Sequence, residues 1–219
     1  MPIHNQADHL WEVIEGYLRE IERLEGETEL VLVPNACRDQ SPEICRALAE
    51  RHEAVRVVEL AEGGWGRAVR AGLAAARGDR LCYTNSARTQ PPMLTLMLVY
   101  AAAYPNVVLK ANRTIRDSFQ RRVGSLLFNL ECRALFDLPT MDVNGTPKVF
   151  PRSFSKLLDL RRDDDLIDVE FLATCIRAGY PLLEVPILAT QRHGAESTTS
   201  YGSAIRLYTG AWRMKREQG

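Results

Sequence analysis

The sequence predicts an α/β fold, a single domain in which a mostly parallel sheet is flanked by helices. Three observations predict it. Short apolar, β-branched runs alternate with segments of helical period, the pattern of strands covered by crossover helices. The connections are short, which favours right-handed crossovers and parallel pairing. At 219 residues, 46% hydrophobic and 26% charged, the chain has the size and composition of one globule, and no stretch reads as a linker. Residues 1–219 are thus expected to form one domain.

Leu10, Ile14, Tyr17, Leu18, Ile21 and Leu24 recur at helical spacing with Glu and Arg between them, which predicts an amphipathic first helix. Residues 30–33 (LVLV) read as a buried strand closed by the turn signal Pro34-Asn35. Ser41-Pro42-Glu43 opens the second helix with a capping hydroxyl, a proline at the first helical position and an acid in the first turn. A strand at 55–60, a glycine turn at 63–66, a helix at 67–77 stopped by Gly78 and a strand at 81–84 follow. Pro91-Pro92 start another helix, and 107–110 another strand. The second half opens with a long helix at 118–136 and an irregular segment at 137–146. It continues with a helix at 168–178 ended by Gly179, a strand at 182–189, and a helix-like tail at 200–216. Ligands of open α/β sheets bind beyond the carboxyl ends of the strands, so loops 34–41, 61–66 and 85–90 are the expected site.

Composition narrows the function. A formal net charge of +0 provides no global field for nucleic acid or membrane, so any anion site must be local. The five cysteines contain no C-x-x-C pair and read as reduced cytosolic thiols rather than a zinc site or disulfide framework. The N-terminus does not read as a signal peptide, and no apolar run approaches the roughly 20 residues that span a bilayer. The expected setting is cytoplasmic, without a transmembrane segment or a nucleic-acid partner. His4, His9, His52 and His193 lack ligand spacing, and Asp163-Asp164-Asp165 reads as an exposed loop.

Gly63-Gly64-Trp65-Gly66 lacks the G-x-G-x-x-G spacing of a dinucleotide fingerprint. The motifs taken in order, however, resemble family 2 glycosyltransferases. Pro2-Ile3-His4-Asn5-Gln6 is similar to that family's I-P-x-Y-N-E opening. Residues 30–41 (LVLVPNACRDQS) resemble its V-V-D-D-G-S-x-D-G-T segment, and 62–79 its N-x-G-x-G-x-A-x-x-x-G-x-x-x-A-x-G-D stretch. TNSARTQPP at 84–92 falls where the family has D-x-D before two prolines. The second half resembles the polyprenyl-phosphate sugar synthases of the dolichol-phosphate mannosyltransferase type. Arg113, Arg122, Ser125 and Asn129 fit their R-x-x-D-x-x-R-x-x-x-S-x-x-x-N stretch, and 141–152 (MDVNGTPKVFPR) fits D-x-N-x-G-x-K-x-F-x-R. Asp168-Val169-Glu170, Glu184-Val185-Pro186 and Arg192-His193-Gly194 fit the closing motifs.

The resemblance implies a GT-A fold, with residues 1–110 as the nucleotide-sugar-binding half and 111–219 as the acceptor-side half. It implies a glycosyltransferase that moves a sugar, with inversion, from a nucleotide-sugar to a phosphate-bearing acceptor such as a polyprenyl phosphate. Pro2, His4, Gln6, Asn35, Asn85, Ala87 and Arg192 are then donor-binding, and Arg113, Arg122 and Ser125 bind the acceptor phosphate. Asp142, Lys148 and Arg88 are the candidate catalytic residues. The family's first strand would already be ending at Met1-Pro2. Two departures matter. Pro34-Asn35 replaces the family's paired aspartates, and Asn85-Ser86-Ala87 replaces D-x-D. A divalent metal is expected for the family, but its carboxylate ligands are absent here, so no metal site or cofactor is assigned. Arg88, beside the altered motif, would supply the missing positive charge in a metal-independent transferase. The alternative is a catalytically inactive nucleotide-binding or interaction protein on the same fold. The tail carries Arg206, Arg213, Lys215 and Arg216 among Ile205, Leu207, Tyr208 and Trp212, which suits a peripheral position at the inner face of the membrane, where a lipid acceptor would be found.

Overall fold

The computed structural model describes residues 1–86, 89–113, 119–140, 142–187 and 201–218, without the side chains of 119–123, 201–206 and 218. Its first half alternates strand and helix: β1 (Pro2–Ile3), α1 (Leu10–Ile21), β2 (Leu30–Pro34), α2 (Ser41–Arg51), β3 (Val55–Val57), α3 (Trp65–Ala75), β4 (Arg80–Tyr83), α4 (Pro91–Ala103) and β5 (Val108–Arg113). The second half contains α5 (Phe119–Phe136), β6 (Lys148–Pro151), α6 (Ile167–Ala178), β7 (Leu182–Ile187) and α7 (Tyr201–Gln218). The α/β class agrees with the sequence reading.

The strands form two sheets. In the first, β1, β2 and β3 pair in parallel, with Pro2 opposite Val33 and Leu32 opposite Val57. The second has the order β4-β6-β5-β7, in which β5 and β7 are parallel and β6 runs antiparallel to both its neighbours. Strand β6 had no counterpart in the sequence reading. Its four residues, KVFP, begin with a lysine and end with a proline, which hides the apolar pair between them. The strand at 55–60 is also shorter than expected; beyond Val57, Val58 N–H bonds Leu32 O at 2.9 Å and Leu60 forms an isolated bridge to Asn35.

The apolar periodicity of α1 buries Leu10, Ile14, Tyr17 and Ile21 against Ile3, Leu32 and Leu48. A second core joins Tyr83, Val108 and Phe150 to Phe171 and Leu172 of α6. The ring of Phe171 meets those of Tyr83 and Phe150 edge-on, with centroids 5.5 and 5.4 Å away. Helix α6 stops as predicted at Gly179 (φ 67°), whose left-handed conformation lets Tyr180 N–H reach back to Cys175 O at 2.9 Å.

Ser41 departs from its expected capping role. It lies inside α2 after Gln40, and its hydroxyl accepts a hydrogen bond from the Gln6 backbone N–H at 2.8 Å. The side chain therefore ties the N-terminal segment to α2 instead of closing the helix end.

The glycines at the start of α3, Gly64 at its N-cap and Gly66 in its first turn, are used for close packing. A Cβ on Gly66 would lie 2.4 Å from Arg162 O and 2.7 Å from Asp164 O. Gly64 (φ 144°) is equally close to Asp163 O, at 2.5 Å. We predict that Gly66→Ala lowers stability by about 1–3 kcal/mol through overpacking, read as a lower denaturant midpoint with unchanged slope. An unaltered midpoint would mean that the 162–164 backbone yields without cost.

Candidate functional site

The first group of predicted residues converges at the carboxyl ends of β1 and β2. Asn35 donates through Nδ2 to Ile3 O (2.8 Å) and Val33 O (3.3 Å), and its Oδ1 accepts from Gly64 N–H (3.2 Å). The amide thus joins β1, β2 and the glycine turn, a task that needs a donor and an acceptor on one side chain. His4 Nδ1 lies 2.7 Å from Asn35 O. Gln6 is buried, and its Oε1 accepts from the Ser86 hydroxyl at 2.5 Å. That bond ties the opening segment to the loop after β4. Pro2, His4, Gln6 and Asn35 are accordingly brought together, with the Asn85-Ser86 loop against them.

Two further residues hold this loop cluster: Asp39, which was not singled out in the sequence, and Ser86, named there only as the centre of the altered D-x-D. Asp39 accepts from Ala7 N–H (2.9 Å) and Ser41 N–H (3.1 Å). Partial burial raises its pKa, but these hydrogen bonds outweigh that and hold it below the ordinary carboxylate range. Ser86 is fully buried. Asn5 (φ 50°) and Ala36 (φ 46°) adopt the left-handed backbone in the same loops; conformations of this kind persist where surrounding structure enforces them.

The second group lies at the end of the other sheet. Asp142 is 2% exposed. It accepts from Arg113 Nε (2.8 Å), Arg113 Nη2 (2.6 Å) and the Arg113 backbone N–H (3.0 Å). Burial opposes the Arg113 charge, yet Asp142 outweighs it and keeps the pKa above the ordinary value. Gly145 allows the loop to sit close, since a Cβ there would meet Ala111 O at 2.0 Å. Asn129 of α5 fixes the same loop by accepting from Val143 N–H at 3.0 Å, and donates to the Ser125 hydroxyl at 3.4 Å.

Lys148 is 0% exposed. Its ammonium contacts Asp168 Oδ1 and sits over the Tyr83 and Phe171 rings, 5.2 and 5.9 Å from their centroids. Asp168 also accepts from Tyr83 OH (2.8 Å) and Trp65 Nε1 (3.2 Å). Burial pulls the Lys148 pKa down against the pull of Asp168, and pushes that of Tyr83 well up. Lys110, opposite Lys148 across the β5–β6 ladder, is held by Glu184 Oε1 at 2.7 Å. Asp142 and Lys148, the candidate catalytic residues on this side, are interior groups engaged with charged partners.

Ala87, Arg88 and Arg192 lie outside the described residues, as does the side chain of Arg122 on α5. No group of three or more His, Cys, Asp or Glu side chains that could hold a metal occurs among the described residues. Behind the glycine turn lies a separate cleft of ≈ 830 Å³, whose lining includes Lys156, Arg162, Asp163 and Glu170. Some of its charges are paired with neighbours, as in Arg162–Asp164 and Arg70–Asp163, both at 2.6 Å.

Comparison with known proteins identifies the family and the fold. The family model described as glycosyl transferase family 2 matches residues 1–158. An undecaprenyl-phosphate 4-deoxy-4-formamido-L-arabinose transferase of Pseudomonas aeruginosa is 32% identical over 156 residues, 70% of this chain and 46% of the relative. The protein of the same description from Pseudomonas fluorescens is 32% identical over 133 residues, 59% of this chain and 39% of the relative. The chain thus spans less than half the length of these curated relatives. Glucosyl-3-phosphoglycerate synthase from Mycobacterium tuberculosis, solved with Mn²⁺, uridine diphosphate and glucosyl-3-phosphoglycerate, superposes with a TM-score of 0.74. That match has 18% identity and covers 98% of this chain and 77% of the other. At such identity the likeness concerns the fold.

The Lys148–Asp168 pair yields a direct test. Losing either partner leaves a buried charge uncompensated, which costs about 3–5 kcal/mol. Lys148→Met and Asp168→Leu should each destabilise in that range. The double variant should cost less than the sum by about 0.5–3 kcal/mol, measured by urea unfolding. Strictly additive losses would show that the two groups are energetically independent.

Proposed function

The chain belongs to glycosyl transferase family 2, and from that premise we propose that it moves a sugar from a nucleotide-sugar donor to a phosphate-bearing acceptor, with polyprenyl phosphate favoured. The fold is GT-A, as in its solved neighbours. The observation that carries the proposal is a shared edge. Tyr83 of β4 and Lys110 of β5 both lie opposite Lys148 of β6, so β4 and β5 run the same way, and β5 continues three residues past the end of β4 to Arg113. The donor-side loop after β4 and the oriented Arg113 at the end of β5 therefore leave the same end of the sheet, Arg113 about 10 Å farther along.

In this reading Pro2, His4, Gln6, Asn35 and Asn85 receive the nucleoside half of the donor, together with Ala87. Arg113, with Arg122 and Ser125, receives the acceptor phosphate, for which a planar guanidinium fork is suited. An acceptor phosphate oxygen attacks the anomeric carbon from the face opposite the leaving group. The new carbon–oxygen bond forms as the bond to the nucleoside diphosphate breaks, with inversion. A phosphate monoester is already anionic at neutral pH, so no general base is required. Asp142 and Lys148 act by position, Asp142 by orienting Arg113 and Lys148 by fixing the strand beneath it. The acceptor is suggested by the printed description of the curated relatives, undecaprenyl-phosphate transferases, and would be met at the inner face of the membrane.

The donor set does not fit a resident divalent cation. Such ions want carboxylate oxygens. Here Asn85 offers an amide, the Ser86 hydroxyl is buried on Gln6, and residue 87 is alanine. The charge developing on the leaving diphosphate falls instead to Arg88 and Arg192, whose guanidinium groups can neutralise it.

Transfer of labelled sugar to a polyprenyl phosphate should persist in excess EDTA. Loss of transfer in EDTA would refute metal independence. Donor binding without transfer to any phosphate acceptor would leave the alternative, a nucleotide-binding protein without turnover. Arg113→Ala should lower kcat/KM for the acceptor by about 10–150-fold, the equivalent of a charged hydrogen bond worth about 1.5–3 kcal/mol, with unchanged donor Kd. An equal loss of donor affinity would contradict the division of the site.

A further inference from the structure

Helix α5 turns an apolar face outward. Leu126, Leu127 and Leu130 are 46%, 54% and 46% exposed, and Trp212 of the adjoining α7 is 54% exposed. The two helices are packed side by side and run the same way. Tyr208 OH donates to Gly124 O at 2.9 Å, the Phe128 and Tyr208 rings meet edge-on at 5.7 Å, and Lys215 Nζ lies 5.9 Å from the Phe136 ring centroid. Trp212 is hydrogen-bonded to Glu131, a residue one turn beyond Leu127 and next to Leu130. The indole therefore belongs to the same patch as the leucines.

The surroundings of the patch identify its occupant. Arg133 on α5 and Arg213, Lys215 and Arg216 on α7 are all exposed. Glu131, the carboxylate within the patch, is half-buried and pushed above its ordinary pKa by burial. Leucines and an indole edged by cations match an interface of hydrocarbon, headgroup boundary and anionic phosphate. A second exposed apolar face, on α4, makes the contrast clear: Leu96, Val99, Tyr100 and Tyr104 are exposed there, but residues 91–104 contain no Lys or Arg. Only the α5–α7 face pairs apolar area with positive charge among these two. Helix α5 also begins at Phe119, shortly after Arg113 at the end of β5.

We propose that the α5–α7 face is a docking surface for an anionic lipid bilayer, which presents a lipid-borne acceptor phosphate to the Arg113 end of the sheet. The docking enlarges on the lipid-acceptor reading above and rests on it for its purpose, though its test does not. The surface is the pair of helices together, with α5 supplying most of the apolar area, and not the C-terminal tail alone.

Flotation of the full chain with phosphatidylglycerol–phosphatidylcholine vesicles, against phosphatidylcholine alone, tests it. Binding should require phosphatidylglycerol and weaken as salt rises. Leu127→Asp combined with Leu130→Asp should weaken binding about 100-fold, since two side chains of this size leave the interface. Val99→Asp combined with Tyr104→Asp on α4 should bind like the unaltered chain. Circular dichroism checks that each variant is folded. On the chain with intact leucines, brominated lipid should quench a fluorescence component that Trp212→Phe removes. Absence of binding to phosphatidylglycerol vesicles overturns the proposal, as does binding that the leucine pair leaves intact in the folded protein. A dimer that the leucine pair splits, without vesicle binding, assigns the face to a second copy and equally overturns it. Transfer to polyprenyl phosphate without vesicle binding refutes the docking surface alone. Vesicle binding without transfer to any phosphate acceptor refutes the acceptor reading alone.

Discussion

Two lysines that face each other across a buried β-ladder set the terms for much of this structure. Lys110 and Lys148 are directly paired on β5 and β6, and both are fully buried. Like charges in that relation repel, and neither has water to screen it. Each is neutralised from a different element: Lys110 by Glu184 of β7, and Lys148 by Asp168 of α6. The Asp142–Arg113 pair closes the set at the strand end. The strand order β4-β6-β5-β7 and the placement of α6 over it are what bring these carboxylates to the lysines. Such a network adds little net stability relative to a well-packed apolar core. Its effect here is positional, because a slip of β5 against β6 or β7 would separate charges from their partners.

Function follows from that fixed register. Arg113 leaves the sheet at a defined height, and three hydrogen bonds to Asp142 fix its direction. The loop after β4 leaves the same end of the sheet, at the level of Lys110, and is held by Ser86 on Gln6. Pre-oriented cations in a partly desolvated setting stabilise developing negative charge without reorganising during the reaction. On the proposed reading, the altered D-x-D motif removes one source of positive charge while the scaffold that holds Arg113 and the loop after β4 is retained.

Sequence reading and structure diverge where long-range partners decide the outcome. Elements were legible where apolar runs and glycine stops are local signals, as at 30–33 in the first half and Gly179 in the second. Strand β6 was not, since KVFP lacks both alternation and length, and its strand character comes from lying between β4 and β5. Asp142 and Lys148 were found through motif order, but their burial and pairing depend on Arg113 and Asp168, 29 and 20 residues away. Ser41 carried a capping signal, and tertiary contact with Gln6 redirected it. Lys110 and Glu184 were the missed signal: a lysine within the apolar run VVLKA is unusual enough to call for a buried carboxylate partner. The roles expected of Ala87, Arg88 and Arg192 lie outside the described residues.

The central claim is that this fold keeps a donor site that works without carboxylate-held metal. Thermal unfolding with a panel of UDP-, GDP-, dTDP- and CDP-sugars, each with and without Mn²⁺, tests it most directly, since a ligand raises the melting temperature only if the folded state binds it more tightly than the unfolded chain. A metal-free donor site predicts a shift with one nucleotide that Mn²⁺ does not change. A shift that appears only with Mn²⁺, or none with any nucleotide-sugar, would contradict it.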